Sequence, residues 1–227
     1  LGINRWIYHK FVPNFYMIEG CKKKELIELD DLEKSVYKTW QDSDLRTKNS
    51  IFLIKDLDSL IINFPKLLKF KSRIFSLFKL IAPAKTTSGL RKAFNTLSKL
   101  KFLNNICFPA GSKATVTHAL SFALLAGYKN IILCGIDLQG GYFWDSGDKN
   151  SLFAKIPESE LQKRLAYLNP KIHNSSKVTH KTETPSLNSE VTAKDVILEI
   201  CKYKKEAQTI YVSSKNSLLS KDLPVYW

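Results

Sequence analysis

Asp137 is the carboxylate that the sequence places best for chemistry. It ends the run Asn130-Ile131-Ile132-Leu133-Cys134-Gly135-Ile136-Asp137, a short apolar stretch of strand composition that breaks at a glycine. In open parallel sheets ligands bind just beyond the carboxyl ends of the strands, so a carboxylate delivered there is a site candidate. Capping the next turn is the plainer role for the same residue. Beyond it comes Gln139-Gly140-Gly141-Tyr142-Phe143-Trp144-Asp145, flexible glycines and then three aromatic side chains. Rings in so polar a context need something to cover, which points to a ligand or a lid. His173 and His180 follow in a long polar stretch, 146–189, that reads as a mobile lid or as ordinary surface loop. His118 falls inside an apolar helical pattern and is expected to be a packing or hydrogen-bonded residue, and a surface role suits His9.

Two further patterns invite a chemical reading. Asp56-Leu57-Asp58 has the D-x-D form in which two carboxylates after a strand can chelate a divalent cation bridging phosphates. Asp42-Ser43-Asp44 repeats it, and aspartate is also a good helix cap, so the pattern is not taken as a metal site. Pro109-Ala110-Gly111-Ser112 puts small residues before a helix, where backbone N–H groups can bind an anion or simply connect two elements. The chain has no P-loop, no G-x-G-x-x-G, no G-x-S-x-G and no zinc-ligand spacing.

The elements that must position these residues follow from hydrophobic periodicity. Thr115, Val116, Leu120, Ala123, Leu124 and Gly127 recur at helical spacing with the glycine at the cap, so residues 115–138 read as helix, tight turn and buried strand. Strand ends or strands are expected at Leu1–Asn4, Phe15–Ile18, Ile51–Ile54 and Thr209–Val212, and helices within 22–40, 90–100 and Val191–Tyr203. Strands alternating with helices predict an α/β fold, a single Rossmann-like domain over residues 1–227 with a doubly wound, mostly parallel sheet. Within it, residues 57–105 form a basic amphipathic helical insertion and 139–190 a lid or active-site loop region. The opening Leu1-Gly2-Ile3-Asn4 reads as a strand end, and a first strand is expected upstream.

Composition narrows the partners. A formal charge of +14 implies an acidic one, and nucleic acid, an anionic membrane surface and a phosphorylated substrate all satisfy it. Along 64–85, Leu67, Phe70, Ile74, Leu77, Phe78 and Ile81 fall on one helical face with Lys66, Lys69, Arg73 and Lys79 towards the other. Such a helix can lie in a membrane interface, or it can pack its stripe on the sheet or on another subunit. No segment reaches the roughly 18 uninterrupted apolar residues of a membrane span. The four cysteines are far apart and form no C-x-x-C pair, and they are expected to be buried thiols of a reducing compartment. A cytoplasmic protein peripheral to a membrane follows as the expectation.

Two pieces of the chain resemble the bacterial sialyltransferases of lipooligosaccharide and capsule and related sugar transferases. One is the pattern A-x-x-x-G-Y-K-x-I-x-L-x-G-I-D, carried by Ala123, Gly127, Tyr128, Lys129, Ile131, Leu133, Gly135, Ile136 and Asp137. The other is His180 in a polar loop, then the helix of Val191–Tyr203, the strand of Thr209–Val212 and the turn Asn216-Ser217-Leu218-Leu219. The resemblance implies a CMP-activated nonulosonic sugar as donor, a glycan or glycolipid acceptor, no metal and no nucleic-acid partner. It also implies a bacterial enzyme at the inner membrane face, with oligomerisation left open. Carried over by position, Asn4, Thr115, Gly135 and Asp137 would bind the nucleotide and donor, Tyr142 would meet the leaving phosphate, and His180 would serve the acceptor hydroxyl. The family's Thr-Ser-Gly before the central helix is Ala114-Thr115-Val116 here. Pterin pyrophosphokinases share the sheet pattern, which keeps phosphoryl-group transfer as an alternative beside a non-catalytic nucleic-acid-binding module.

Overall fold

Runs of consecutive buried apolar residues build the first sheet. The computed structural model describes residues 1–3, 11–19, 49–55, 74–76, 84–99, 114–136, 138 and 189–227. Tyr16 and Met17 are both buried along β2 (Phe15–Glu19), as are Phe52, Leu53 and Ile54 along β3 (Ile51–Lys55). Neighbouring side chains in a strand point to opposite faces, so burial of neighbours means that both faces are covered, as parallel sheets require. β1 (Gly2–Ile3) and β4 (Ile74–Ser76) complete a four-stranded sheet of order β1-β2-β3-β4 in which every pairing is parallel. Tyr16 faces Phe52 in the register, and their rings stack with centroids 5.6 Å apart. The start of β3 is fastened to the residues before β2. Ile51 N–H donates to the Asn14 carbonyl, and the buried Ser50 hydroxyl to that of Pro13, each at 2.8 Å.

β4 departs from expectation. Ile74 falls on the stripe assigned to a basic amphipathic helix, yet Ile74–Ser76 is a strand paired with Phe52, Leu53 and Ile54 of β3. A β-branched and an aromatic residue side by side suit an extended backbone, and β3 has a second row of N–H and C=O groups to satisfy. Phe75 is half exposed, so this strand does not bury both faces. The other residues of the expected helix that carry its stripe lie outside the described residues.

The chain divides into two compact units, residues 1–77 with 144–178 and residues 78–143 with 179–227. The second contains α1 (Thr87–Lys99), α2 (Thr115–Leu125), β5 (Asn130–Leu133), α3 (Ala193–Cys201) and β6 (Thr209–Val212). β5 and β6 pair in parallel, Asn130 with Thr209 through Leu133 with Val212. With helices and parallel strands in this alternation, the fold class is α/β. Every residue of α2 from Thr115 to Ser121 is buried, so this helix is enclosed on all sides over its first two turns. α3 packs on α2 and on α1. Phe94 of α1 is buried and stacks on Tyr203 at 5.5 Å, and the Tyr203 hydroxyl donates to Asn95 Oδ1 at 3.0 Å.

Local sequence sets the ends of these helices. Thr192 and Asp195 form a reciprocal cap at the start of α3: Asp195 N–H donates to Thr192 Oγ1 at 3.2 Å and Thr192 N–H to Asp195 Oδ2 at 2.8 Å. α2 ends as expected, with Gly127 at φ 79° in the left-handed region that glycine adopts without strain. The four residues after α2 reverse the chain into β5. At this edge Gln208, buried at the head of β6, donates from Nε2 to the carbonyls of Leu124 and Tyr128 at 2.9 and 3.0 Å. The tail also returns to the sheet. Val225 bridges Val212 in parallel, and Tyr226 packs edge-on against Tyr211 at 5.2 Å, while Trp227 is largely exposed.

Candidate functional site

The carboxyl ends of β5 and β6 are where the chemistry-bearing sequence and the fold meet. After Leu133 the ladder stops, Cys134 and Gly135 are exposed, and Gly135 takes φ 65°. Leu138 takes φ 60° with its side chain buried. A leucine holds the left-handed region only where its surroundings over-determine it. The backbone at Leu138 is therefore held under constraint.

The loop after β6 lies against this turn. Ser213 N–H donates to the Leu133 carbonyl at 3.2 Å, and the Ser217 hydroxyl to the Ile136 carbonyl at 3.0 Å. Ser214 Oγ accepts the Asn216 N–H at 3.0 Å, and Ser220 Oγ–H donates to the Lys215 carbonyl at 2.8 Å. These hydroxyls are engaged within the loop or across to the turn, so they build the rim. Lys194, in the first turn of α3, donates to the Leu218 carbonyl at 3.0 Å and pairs with Asp222 at 2.8 Å. That contact brings the start of α3 to the same rim.

Thr115 reaches this level through topology. The C-terminal end of α2 is tied to the head of β6 by Gln208, and the reversal after it starts β5 at that edge. Eleven helical residues rise about 16 Å and four strand residues span about 13 Å, so the start of α2 comes level with the strands' carboxyl ends. Thr115 is buried there, and Ala114 before it supplies no side-chain cap. Two positions on, the Thr117 hydroxyl donates to the Ala114 carbonyl at 2.7 Å and lies 3.2 Å from His118 Nδ1. His118 is buried and hydrogen-bonded, the structural role expected of it.

Of the six residues expected to act at the site, Thr115 and Gly135 are among the described residues and lie in the same compact unit. Asn4, Asp137, Tyr142 and His180 lie outside the described residues, as do Asp56, Asp58 and His173. Ser217 and Lys194 organise the rim but were not legible as such. A serine-rich stretch after a strand signals a turn, and nothing local marks a partner 81 residues away. The expectation of buried thiols fails at Cys134, which is exposed because it sits one residue past the last paired position of β5. Cys201 is partly buried, and burial pushes its thiol up to about 12 while the Lys204 charge draws it part of the way back. Among the described residues no three His, Cys, Asp or Glu side chains gather as metal ligands, and no helix is long and apolar enough to cross a membrane.

Compared with known proteins, the chain matches no protein-family model, no curated protein and no solved structure.

Proposed function

We propose that the chain is a glycosyltransferase that moves a sialic-acid-like sugar from a CMP-activated donor to a cell-surface glycan or glycolipid. In this reading the sheet is Rossmann-like and doubly wound, and the enzyme works without a metal at the cytoplasmic face of a bacterial inner membrane. One observation carries it: the chain leaves β5 through Gly135, in the left-handed region, at the carboxyl edge of two parallel strands. That edge is where parallel α/β sheets hold nucleotides.

The chemistry sorts the residues. A CMP-linked sugar departs with oxocarbenium character, so the site must stabilise a leaving phosphate and take a proton from the acceptor alcohol. Thr115, Gly135 and Asp137 hold the nucleotide and donor, and Tyr142 donates a hydrogen bond to the phosphate. Neutral His180 has an intrinsic pKa suited to a general base. The chain's excess of lysine and arginine supplies a field that favours the anionic donor.

A thermal scan with CMP, UDP, GDP and ATP with magnesium tests the reading, followed by donor hydrolysis with wild type and His180→Ala. CMP alone should stabilise the protein, and His180→Ala should lose about a hundredfold or more in turnover, the usual contribution of a general base. Stabilisation by ATP with magnesium but not by CMP would instead assign phosphoryl transfer. Salt-sensitive retention of random DNA, with no response to CMP, would assign a nucleic-acid-binding module.

A further inference from the structure

α1 and α3 run side by side in the same direction. At their starts the Glu190 N–H donates to the Lys85 carbonyl at 2.9 Å and the Thr87 N–H to Glu190 Oε1 at 3.3 Å. Further along, Phe94 and Asn95 meet Tyr203, just past the end of α3. α3 starts at the rim, through Lys194, and ends at the residues that lead into β6. Both helices therefore finish towards the amino edge of the β5–β6 pair, and α1 continues about one turn beyond Asn95 to Lys99.

Basic side chains gather at that end. Lys99, Lys202, Lys204 and Lys205 are exposed there, as are Tyr128 and Lys129, where the reversal after α2 meets Gln208 and Thr209. Arg91 and Asn95 precede Lys99 at helical spacing, so an exposed polar stripe climbs α1 to the edge; Lys92 flanks it, and α1 holds no carboxylate. The acidic side chains of the edge are Glu199, buried and paired with Lys202 at 2.6 Å, and the exposed Glu206. At the opposite end Lys194 is paired with Asp222, and Glu190 and Asp195 accept N–H groups at the helix starts. Lysine at a helix end offsets the helix dipole, but that benefit fades within one turn and does not account for Arg91 and Lys92.

We propose that the amino edge, together with the Arg91–Lys99 stripe of α1, is the surface by which the protein docks on an anionic membrane. Charge complementarity names the occupant. A lysine ammonium is a hydrated point charge on a flexible stem and suits mobile lipid headgroups, whereas the phosphates of a nucleic acid favour the arginine fork. Among the described residues the surface carries Arg91 as its one arginine and is otherwise lysine. Tyr128, half exposed beside Lys129, adds an amphipathic ring of the kind enriched at membrane interfaces. The proposal rests on the membrane location in the reading above and is independent of the donor.

Cosedimentation with vesicles of phosphatidylglycerol and phosphatidylcholine in equal parts, and with vesicles of phosphatidylcholine alone, tests it. The protein should bind the first and not the second. Raising salt from about 0.1 M to about 1 M shortens the screening length from about 10 to about 3 Å and should release it. Each basic residue near such a surface is worth about fivefold in affinity, so Lys99→Gln with Lys204→Gln should weaken binding about twentyfold. Lys215→Gln with Lys221→Gln removes the same charge from exposed lysines of the loop after β6 and should weaken it less than about threefold. An equal loss in both pairs would assign the binding to net charge and overturn the surface. Failure to bind the anionic vesicles, or equal binding to the neutral ones, would overturn it too. Random-sequence DNA that strips the protein from the vesicles at equal phosphate concentration would overturn it in favour of a nucleic acid. If CMP fails to stabilise a protein that docks as described, the donor reading alone falls; if CMP stabilises a protein that ignores the vesicles, the docking surface alone falls.

Discussion

Raising the pH from 8 to 10 should weaken the fold through one thiol, Cys201. It closes α3, and burial raises its pKa from 9.0 to about 12, Lys204 opposing the shift. The sign follows from proton binding. In the unfolded chain the thiol ionises near 9, whereas in the folded chain it stays protonated well above that, so unfolding releases a proton and stability falls as pH rises. The stabilisation is fully present below pH 9 and is lost between 9 and about 12. At pH 10 the unfolded state gains a factor of about eleven from ionisation, or about 1.4 kcal/mol, against almost nothing at pH 8. Urea titrations of wild type and Cys201→Ala at both pH values isolate the effect, since the two proteins differ only at this side chain. The wild type should lose about 1.4 kcal/mol more than the variant between the two. Equal losses would mean that the thiolate is accommodated in the folded state and that the burial argument is wrong. Thiol labelling read by peptide mass gives an independent check, because the exposed Cys134 should react far sooner than Cys201.

The remaining predictions concern the two edges of the same unit. Gln208→Ala removes both donors from the carbonyls of Leu124 and Tyr128 at a buried position and should cost about 2–3 kcal/mol in urea unfolding; a loss under about 0.5 kcal/mol would show that water replaces the amide there. Gly127→Ala and Gly135→Ala each meet open space, so the cost is that of the left-handed backbone alone, about 1 kcal/mol. Gly127→Asn should fold with less loss than Gly127→Ala, because asparagine tolerates this conformation at a helix end; the reverse order in denaturation midpoints would refute the conformational explanation.

What could be read from the residues alone was local. Ile51–Ile54 and Thr209–Val212 are apolar runs bounded by polar residues, and they are strands to within a residue of their expected limits. Thr115–Leu125 and the glycine that ends it follow from spacing and from the one residue type that reaches φ 79° without strain. The strand at Ile74–Ser76 was hidden because its side chains fit a helical stripe, and only the neighbouring strand makes extension worthwhile. Nor could the interleaved division of the chain be seen, with residues 144–178 joining the N-terminal unit. The Gln208 and Ser217 contacts span 84 and 81 residues, beyond the reach of any local pattern. At the candidate site Thr115 and Gly135 were legible because one opens a helix and the other breaks a strand. The Ser217 contact to the Ile136 carbonyl just after Gly135 was not.

The two edges of the β5–β6 pair are built for different ends, and the difference bears on where a ligand can be held. At the amino edge Gln208 seals the junction of α2 and β6 with a buried amide whose Oε1 also accepts the Lys205 N–H at 2.9 Å, so its polar groups are consumed internally. At the carboxyl edge α3 carries a reciprocal cap, the Thr192 and Asp195 N–H groups each being taken by the other's side chain, and Asp195 adds a negative charge. An anion gains little there. α2 begins without a side-chain cap and without an acidic residue in its first turn. On the reading proposed above, a phosphate-bearing donor would gain more from the start of α2 than from that of α3.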